Sequence, residues 1–267
     1  MEQLSHGKTG SYEFMAEPFH CDVGGHLFMA HLGNHLLNAA DFHSAHRGFG
    51  IPTLQLTNKT WVLSRLAIEM SEMPAQYSRF TVETWIESVM KYFTNRNFHI
   101  TDTATGRTLG YARSIWAMID TVTRRPQDIS DTRYSDINSY ILTDEECPME
   151  RLSRVRMGDG AQHVRTIDTR YSDIDINGHV NSVKYMEHVM DLFGPDVYKE
   201  RGIRRIDIAY VAESRYGDKL SMSMRQTSGG DYLVSIVKNA QTEVCRCKIA
   251  FGEEYQPINI YERKWQK

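Results

Sequence analysis

The chain repeats itself at half its length. Asp22-Val23-Gly24-Gly25-His26-Leu27 aligns with Asp175-Ile176-Asn177-Gly178-His179-Val180, and both the aspartates and the histidines stand 153 positions apart. At the same offset His35 falls on His188, while Ala30, Leu36 and Leu37 fall on Val183, Val189 and Met190. A period this long in 267 residues excludes a solenoid and predicts a duplicated domain. Any fold assigned to one half must therefore suit the other.

The hydrophobic pattern meets that demand. Val180, Val183, Met186, Val189, Met190 and Phe193 recur at helical spacing, which predicts a helix over 180–193. Strand alternation follows over 204–211, 220–226, 232–238 and 244–251, with Ser228-Gly229-Gly230-Asp231 as a turn. The first half predicts a helix over 27–45 and strands over 60–70, 80–89, 97–102 and 107–120, with Thr105-Gly106 closing a hairpin. A long helix preceded by one strand and followed by antiparallel strands suits an α+β unit, a sheet wrapped around a central helix. The polar stretch 126–158, with Asp144-Glu145-Glu146, reads as the connection between units at 1–125 and 159–267. Arg133-Tyr134-Ser135-Asp136-Ile137-Asn138 echoes Arg170 to Asp175, but no Gly-His follows and the match reads as coincidence.

Composition narrows the function classes. No apolar run approaches the ~18 residues of a membrane-spanning helix. Met1 to Ser11 is polar and lacks the apolar stretch of a secretory signal. Four cysteines in a chain this long point to a reducing compartment. Cys245 and Cys247, two apart on one strand face, read as buried thiols and not as bridge partners. A net charge of −3 argues against general nucleic-acid binding and leaves room for local basic patches at Arg124-Arg125, Arg204-Arg205 and Arg154/Arg156.

The chemistry concentrates in the run from Arg170 to Asn181. Asp175, Asn177 and His179 stand at i, i+2 and i+4, with Gly178 between the last two. Asp, Asn and Gly favour turns, so the run reads as a strand or loop feeding a helix N-terminus. Free N–H groups there attract negative charge, and those near Gly178 and His179 are the expected oxyanion donors. The plainer alternative is a capped, solvated helix start. In the first copy Gly24 replaces the amide, so that half is expected to be catalytically silent. Its Leu27, Phe28, Met29, Leu32, Leu36 and Leu37 are expected either to wall an apolar tunnel or to be ordinary core. His31 and His35 are i, i+4, but no Glu follows His31 as in the zinc-protease pattern. No metal and no cofactor are expected.

Across nearly its whole length the chain resembles the acyl-acyl-carrier-protein (acyl-ACP) thioesterases of the plant and bacterial type. The resemblance rests on Trp61-Val62-Leu63-Ser64-Arg65, Pro74 followed by Val82-Glu83-Thr84-Trp85, Ser114 to Asp120, and Thr123-Arg124-Arg125-Pro126. It continues through Ser172 to Asn181, Val183-Lys184-Tyr185 and Tyr210-Val211-Ala212-Glu213-Ser214. It implies two tandem hotdog domains that release free fatty acid from an acyl-ACP partner in fatty acid biosynthesis. It also implies a catalytic set of Asp175, Asn177, His179 and Glu213. Plant members commonly carry Cys after that Glu, whereas this chain has Ser214, which argues against an obligatory thiol nucleophile. The long N-terminal extension of plastid members is absent, and a bacterial cytoplasmic protein is expected. Either a carboxylate with His179 activates water, or Asp175 attacks directly to form an anhydride. Acyl-CoA hydrolysis, acyl-thioester hydration and non-catalytic acyl binding are the competing readings, and a homodimer is left open.

Overall fold

The computed structural model describes residues 7–130, 136–152 and 154–252, without the side chain of Lys199. The start of the Arg133–Asn138 echo and the last fifteen residues of the 159–267 unit lie outside them. The first half runs β1 (Gly10–Met15), α1 (Met29–His46), α2 (Ile51–Gln55), β2 (Lys59–Met70), β3 (Arg79–Val89), β4 (Phe93–Asp102) and β5 (Thr108–Asp120). The second runs β6 (Gln162–Asp168), α3 (Ser182–Met190), α4 (Pro195–Glu200), β7 (Ile203–Tyr210), β8 (Lys219–Gln226), β9 (Tyr232–Lys238) and β10 (Thr242–Phe251). The hairpin expected at Thr105-Gly106 is present. Asp102 Oδ1 accepts from the Thr105 amide at 2.9 Å and from its hydroxyl at 2.7 Å, and Gly106 supplies φ +71°.

All ten strands join one antiparallel sheet in the order β1-β3-β4-β5-β2-β7-β10-β9-β8-β6. Read from either edge, the order is first, third, fourth, fifth and second strand of a half. That is two hotdog units related by a dyad between β2 and β7. The unexpected feature is that the units share a sheet: Arg65 to Glu69 pair with Ala209 to Arg205 in continuous register. Apolar residues of α1, α3 and strands from both halves form a single core. The helices meet where a small residue faces a large one. A Cβ on Gly33 would lie 3.1 Å from Met186 Sδ, and Met186 is the counterpart of Gly33 at the 153-residue offset.

Two expectations need correction. The second-half helix is broken: α3 begins at Ser182 because Asn181 Oδ1 accepts from Val183 N at 3.0 Å, and it ends near Asp191. Gly194 is extended before Pro195, which opens the separate α4. The connection over 126–158 is also more than polar linker. Ile129, Ile137, Met149 and Val155 are buried in it, and a short 3-10 turn covers Ile137–Tyr140.

A buried ion cluster pins the seam. Arg205 donates to Asp207 Oδ2 from Nε at 2.7 Å, to Asp207 Oδ1 at 2.9 Å and to Glu69 Oε2 at 2.8 Å. Its Nη2, which makes the bond to Asp207 Oδ1, also donates to Arg151 O at 3.3 Å, which ties the connection to the sheet. Arg205 is therefore excluded from the basic surface patches expected of it. Removing one member of a buried pair strands the other's charge, at a cost of about 3–5 kcal/mol. Arg205→Ala is expected to lose that much stability, read as a lower urea midpoint at unchanged slope. A wild-type midpoint would mean that strand pairing and apolar burial hold the seam alone.

Candidate active site

The motif loop closes before the helix starts and does not feed it directly. A 3-10 turn over Tyr171–Asp173 leads in, and Ile174 and Val180 bridge the base of a tight loop. Asp175 Oδ1 accepts from the amides of Asn177 at 2.8 Å and His179 at 3.2 Å, while Asp175 N donates to His179 O at 2.8 Å. Gly178 N donates to Asp175 O at 3.0 Å with φ +77°, a conformation that favours glycine. These amides are committed, so the expectation that they serve as oxyanion donors is overturned. Asn177 is left exposed at the loop tip.

Glu213 reaches the loop from the segment after β7. Val180 N donates to Ser214 O at 2.8 Å, and Lys238 Nζ holds Glu213 O at 2.6 Å. Glu213 Oε2 then lies 3.1 Å from His179 Nε2, close enough to act on its charge but without hydrogen-bond alignment. The other carboxylate oxygen pairs with Arg124 of the first half. Residue reading placed Arg124 in a basic patch and missed this contact. Its signal is the turn after β5, where Asp120 Oδ1 accepts from Val122 N at 2.9 Å and Thr123 N at 2.6 Å. Arg124 itself sits at φ +59°, uncommon for a non-glycine residue. Ser214 has no solvent exposure, so its hydroxyl cannot meet a substrate in this arrangement.

Asn177, His179 and Glu213 line one cavity of about 310 Å³, together with Arg124 and Arg215. Asp175 lines a neighbouring cavity of about 280 Å³ that enters the first half between Leu37, Phe49, Ile86 and Trp116. Trp61 borders both, its indole N–H held by Phe49 O at 2.9 Å. The four expected residues thus straddle a partition and do not share one pocket.

Residues 9–137 match the acyl-ACP thioesterase N-terminal domain, and residues 158–267 match the C-terminal domain of the same family. A crystal structure of an acyl-ACP thioesterase from Bacteroides thetaiotaomicron is 49% identical, covering 94% of this chain and 100% of that one, at a TM-score of 0.85. The chain belongs to the acyl-ACP thioesterase family. The chloroplastic oleoyl-acyl carrier protein thioesterase of Coriandrum sativum is 30% identical over 62% of this chain and 47% of its own length. The chain spans about half the length of the curated relatives it matches. The 12:0-ACP thioesterase of Umbellularia californica shares the fold at a TM-score of 0.78 and 21% identity, over 93% of this chain and 99% of that one.

Within this thioesterase-family chain the first-half loop repeats the second in detail. Asp22 Oδ1 accepts from Gly24 N at 2.8 Å and His26 N at 3.1 Å, and Gly25 takes φ +78°. Of the six residues expected to wall an apolar tunnel, only Leu37 borders the Asp175 cavity; Leu32 and Leu36 are core. Leu27, Phe28 and Met29, at the entry to α1, line a different cavity. His31 stacks on His20 at 4.1 Å, and Glu17 Oε2 lies 3.7 Å from His35 Nε2. Among the described residues no helix is long and apolar enough to cross a membrane.

Electrostatics favour a neutral imidazole at His179. Desolvation depresses its pKa first, and the cations Arg215, Arg124 and Lys238 add to this against the opposing pull of Asp175. An imidazole that stays uncharged can accept a proton at neutral pH. The acid limb of kcat/KM is therefore expected below the ordinary imidazole value of 6.5. Arg215→Gln removes a positive neighbour, stabilises imidazolium and should move that limb upward. A limb unmoved in Arg215→Gln would rule out His179 as the group that titrates.

Proposed function

We propose that this chain hydrolyses acyl-ACP, releasing a free fatty acid in fatty acid biosynthesis. The observation that carries the reading is the convergence of Asn177, His179 and Glu213 on one cavity, next to an acyl-sized cavity reached past Trp61. The acyl chain would lie in the Asp175 cavity and the thioester at the partition. His179 takes a proton from water as the water oxygen attacks the carbonyl carbon. Glu213, fixed by Arg124, stabilises the imidazolium that forms. The Asn177 amide polarises the carbonyl, the role the backbone amides cannot fill. Collapse of the tetrahedral intermediate breaks the C–S bond, and the imidazolium returns its proton to the departing thiolate. Asp175 shapes the loop through Oδ1, which weighs against direct attack by the same carboxylate.

The carrier is read from the rim. Ile176, Val122 and Tyr216 are exposed beside the cavity-lining Asn177, Thr121 and Arg215. Arg124, Arg125 and Arg215 are exposed among them. An acidic carrier protein suits such an apolar, cationic mouth, and rim charges act mainly on association rate. The cysteines Cys21, Cys147, Cys245 and Cys247 are free, as a reducing cytoplasm would leave them.

Asn177→Ala, His179→Ala and Glu213→Gln should each lower kcat by on the order of 10²–10⁴-fold without loss of fold. Double variants should be far from additive, since groups serving one transition state fail together. Asp175→Asn should also slow turnover, while His26→Ala and Ser214→Ala should keep most of it. Thiol release from acyl-ACP should fall more steeply with ionic strength than release from acyl-CoA. Equal salt dependence would shift the assignment to acyl-CoA, and wild-type turnover in His179→Ala would remove the mechanism.

A further inference from the structure

A cavity of about 540 Å³, nearly twice the volume of the one lined by Asp175, lies across the dyad at the first-half loop. The two cavities are counterparts. At the 153-residue offset Asp22 matches Asp175, Phe28 matches Asn181 and Met190 matches Leu37, and each borders its own cavity. The volume falls in the range that takes a small-molecule ligand.

The chemistry has been removed from this site and the space has been kept. Leu27 N donates to Pro74 O at 2.9 Å, as Val180 N donates to Ser214 O, so the residues before those acceptors are equivalent. Met73 therefore stands where Glu213 stands, and it borders the cavity. Gly24 stands in the place of Asn177. At these two matching positions neither the carboxylate of Glu213 nor the amide of Asn177 is reproduced. Gly202, at the offset from Phe49, opens further room on the same wall. Interiors pack to crystal-like density, so an open space with apolar walls at a relict site calls for an occupant. Lys184 and Glu187, paired at 2.6 Å, supply a polar rim to it.

We propose that this cavity binds a second acyl chain and does not hydrolyse it. The ligand class is an unbranched apolar chain whose polar head stays at the Lys184–Glu187 rim. The inference rests on reading the Asp175 cavity as an acyl cavity, because the dyad carries that ligand class across. A free fatty acid and an acyl thioester share the chain chemistry and differ only at the head.

Calorimetric titration of the full chain with decanoate, and with the non-hydrolysable thioether S-decylpantetheine, tests this. Wild-type protein should bind two equivalents of at least one probe. Two of decanoate identify the free acid as a ligand, and two of the thioether alone identify the carrier-bound chain. Met73→Trp, which fills the large cavity from a half-buried loop position, should bind one. Asn38→Trp, which fills the Asp175 cavity, should also bind one. Thermal unfolding checks that each variant is folded, and His31→Trp blocks the same space as Met73→Trp should the latter fail to fold. Two equivalents persisting in the folded blocked variant overturn the proposal. A single wild-type equivalent lost in Asn38→Trp and kept in Met73→Trp also overturns it, while leaving the proposed function standing. A single equivalent lost in Met73→Trp and kept in Asn38→Trp supports this site and defeats the acyl reading of the Asp175 cavity.

Discussion

The antiparallel pairing of β2 with β7 is the constraint on which everything else depends. Five residues of each strand make the sheet continuous, and the Arg205–Asp207–Glu69 cluster fixes their register. A slip of one residue would turn each strand's buried face outward and separate Arg205 from Glu69. Because the seam is antiparallel, it places the loop of each half against the helix of the other. Glu213 can meet Arg124, and Asp175 can meet Leu37 and Trp61, only while that seam holds.

The same backbone therefore serves two sites of different character. In both halves an aspartate accepts two loop amides and a glycine with positive φ closes the turn. That turn is a scaffold, and its aspartate is needed for shape whether or not chemistry follows. What separates the halves is the side chain at the tip and the one arriving from the following strand: Asn177 with Glu213 on one side, Gly24 with Met73 on the other.

Charge completes the distinction. His179 is ringed by Arg215, Arg124 and Lys238, so partial burial and like charge act together to keep the ring neutral. The half-buried His31, stacked on His20, is also held below its ordinary value, by desolvation first and then by His20. Among the described residues no carboxylate forms an ion pair with His31, and the cavity beside it is walled by Leu27, Met73 and Phe193.

The sequence by itself determined the duplication, the element order and the position of the polar loop. Those features are written in local periods: two for strands such as Leu220–Arg225, and 3.6 for the helices, with Gly-containing turns between them. It also marked Asp175, Asn177, His179 and Glu213, through spacing and family likeness. It could not show that two sheets would merge at β2 and β7, since edge pairing between halves has no local period. It could not show that the Gly178 and His179 amides are spent on Asp175, that Arg205 is buried at the seam, or that Arg124 crosses to Glu213. Nor could it divide Leu27, Phe28 and Met29 from Leu37, which share one helix pattern and line opposite cavities. Each of these is a contact between segments far apart in the chain, and only the packing of the two halves around their dyad decides which groups meet.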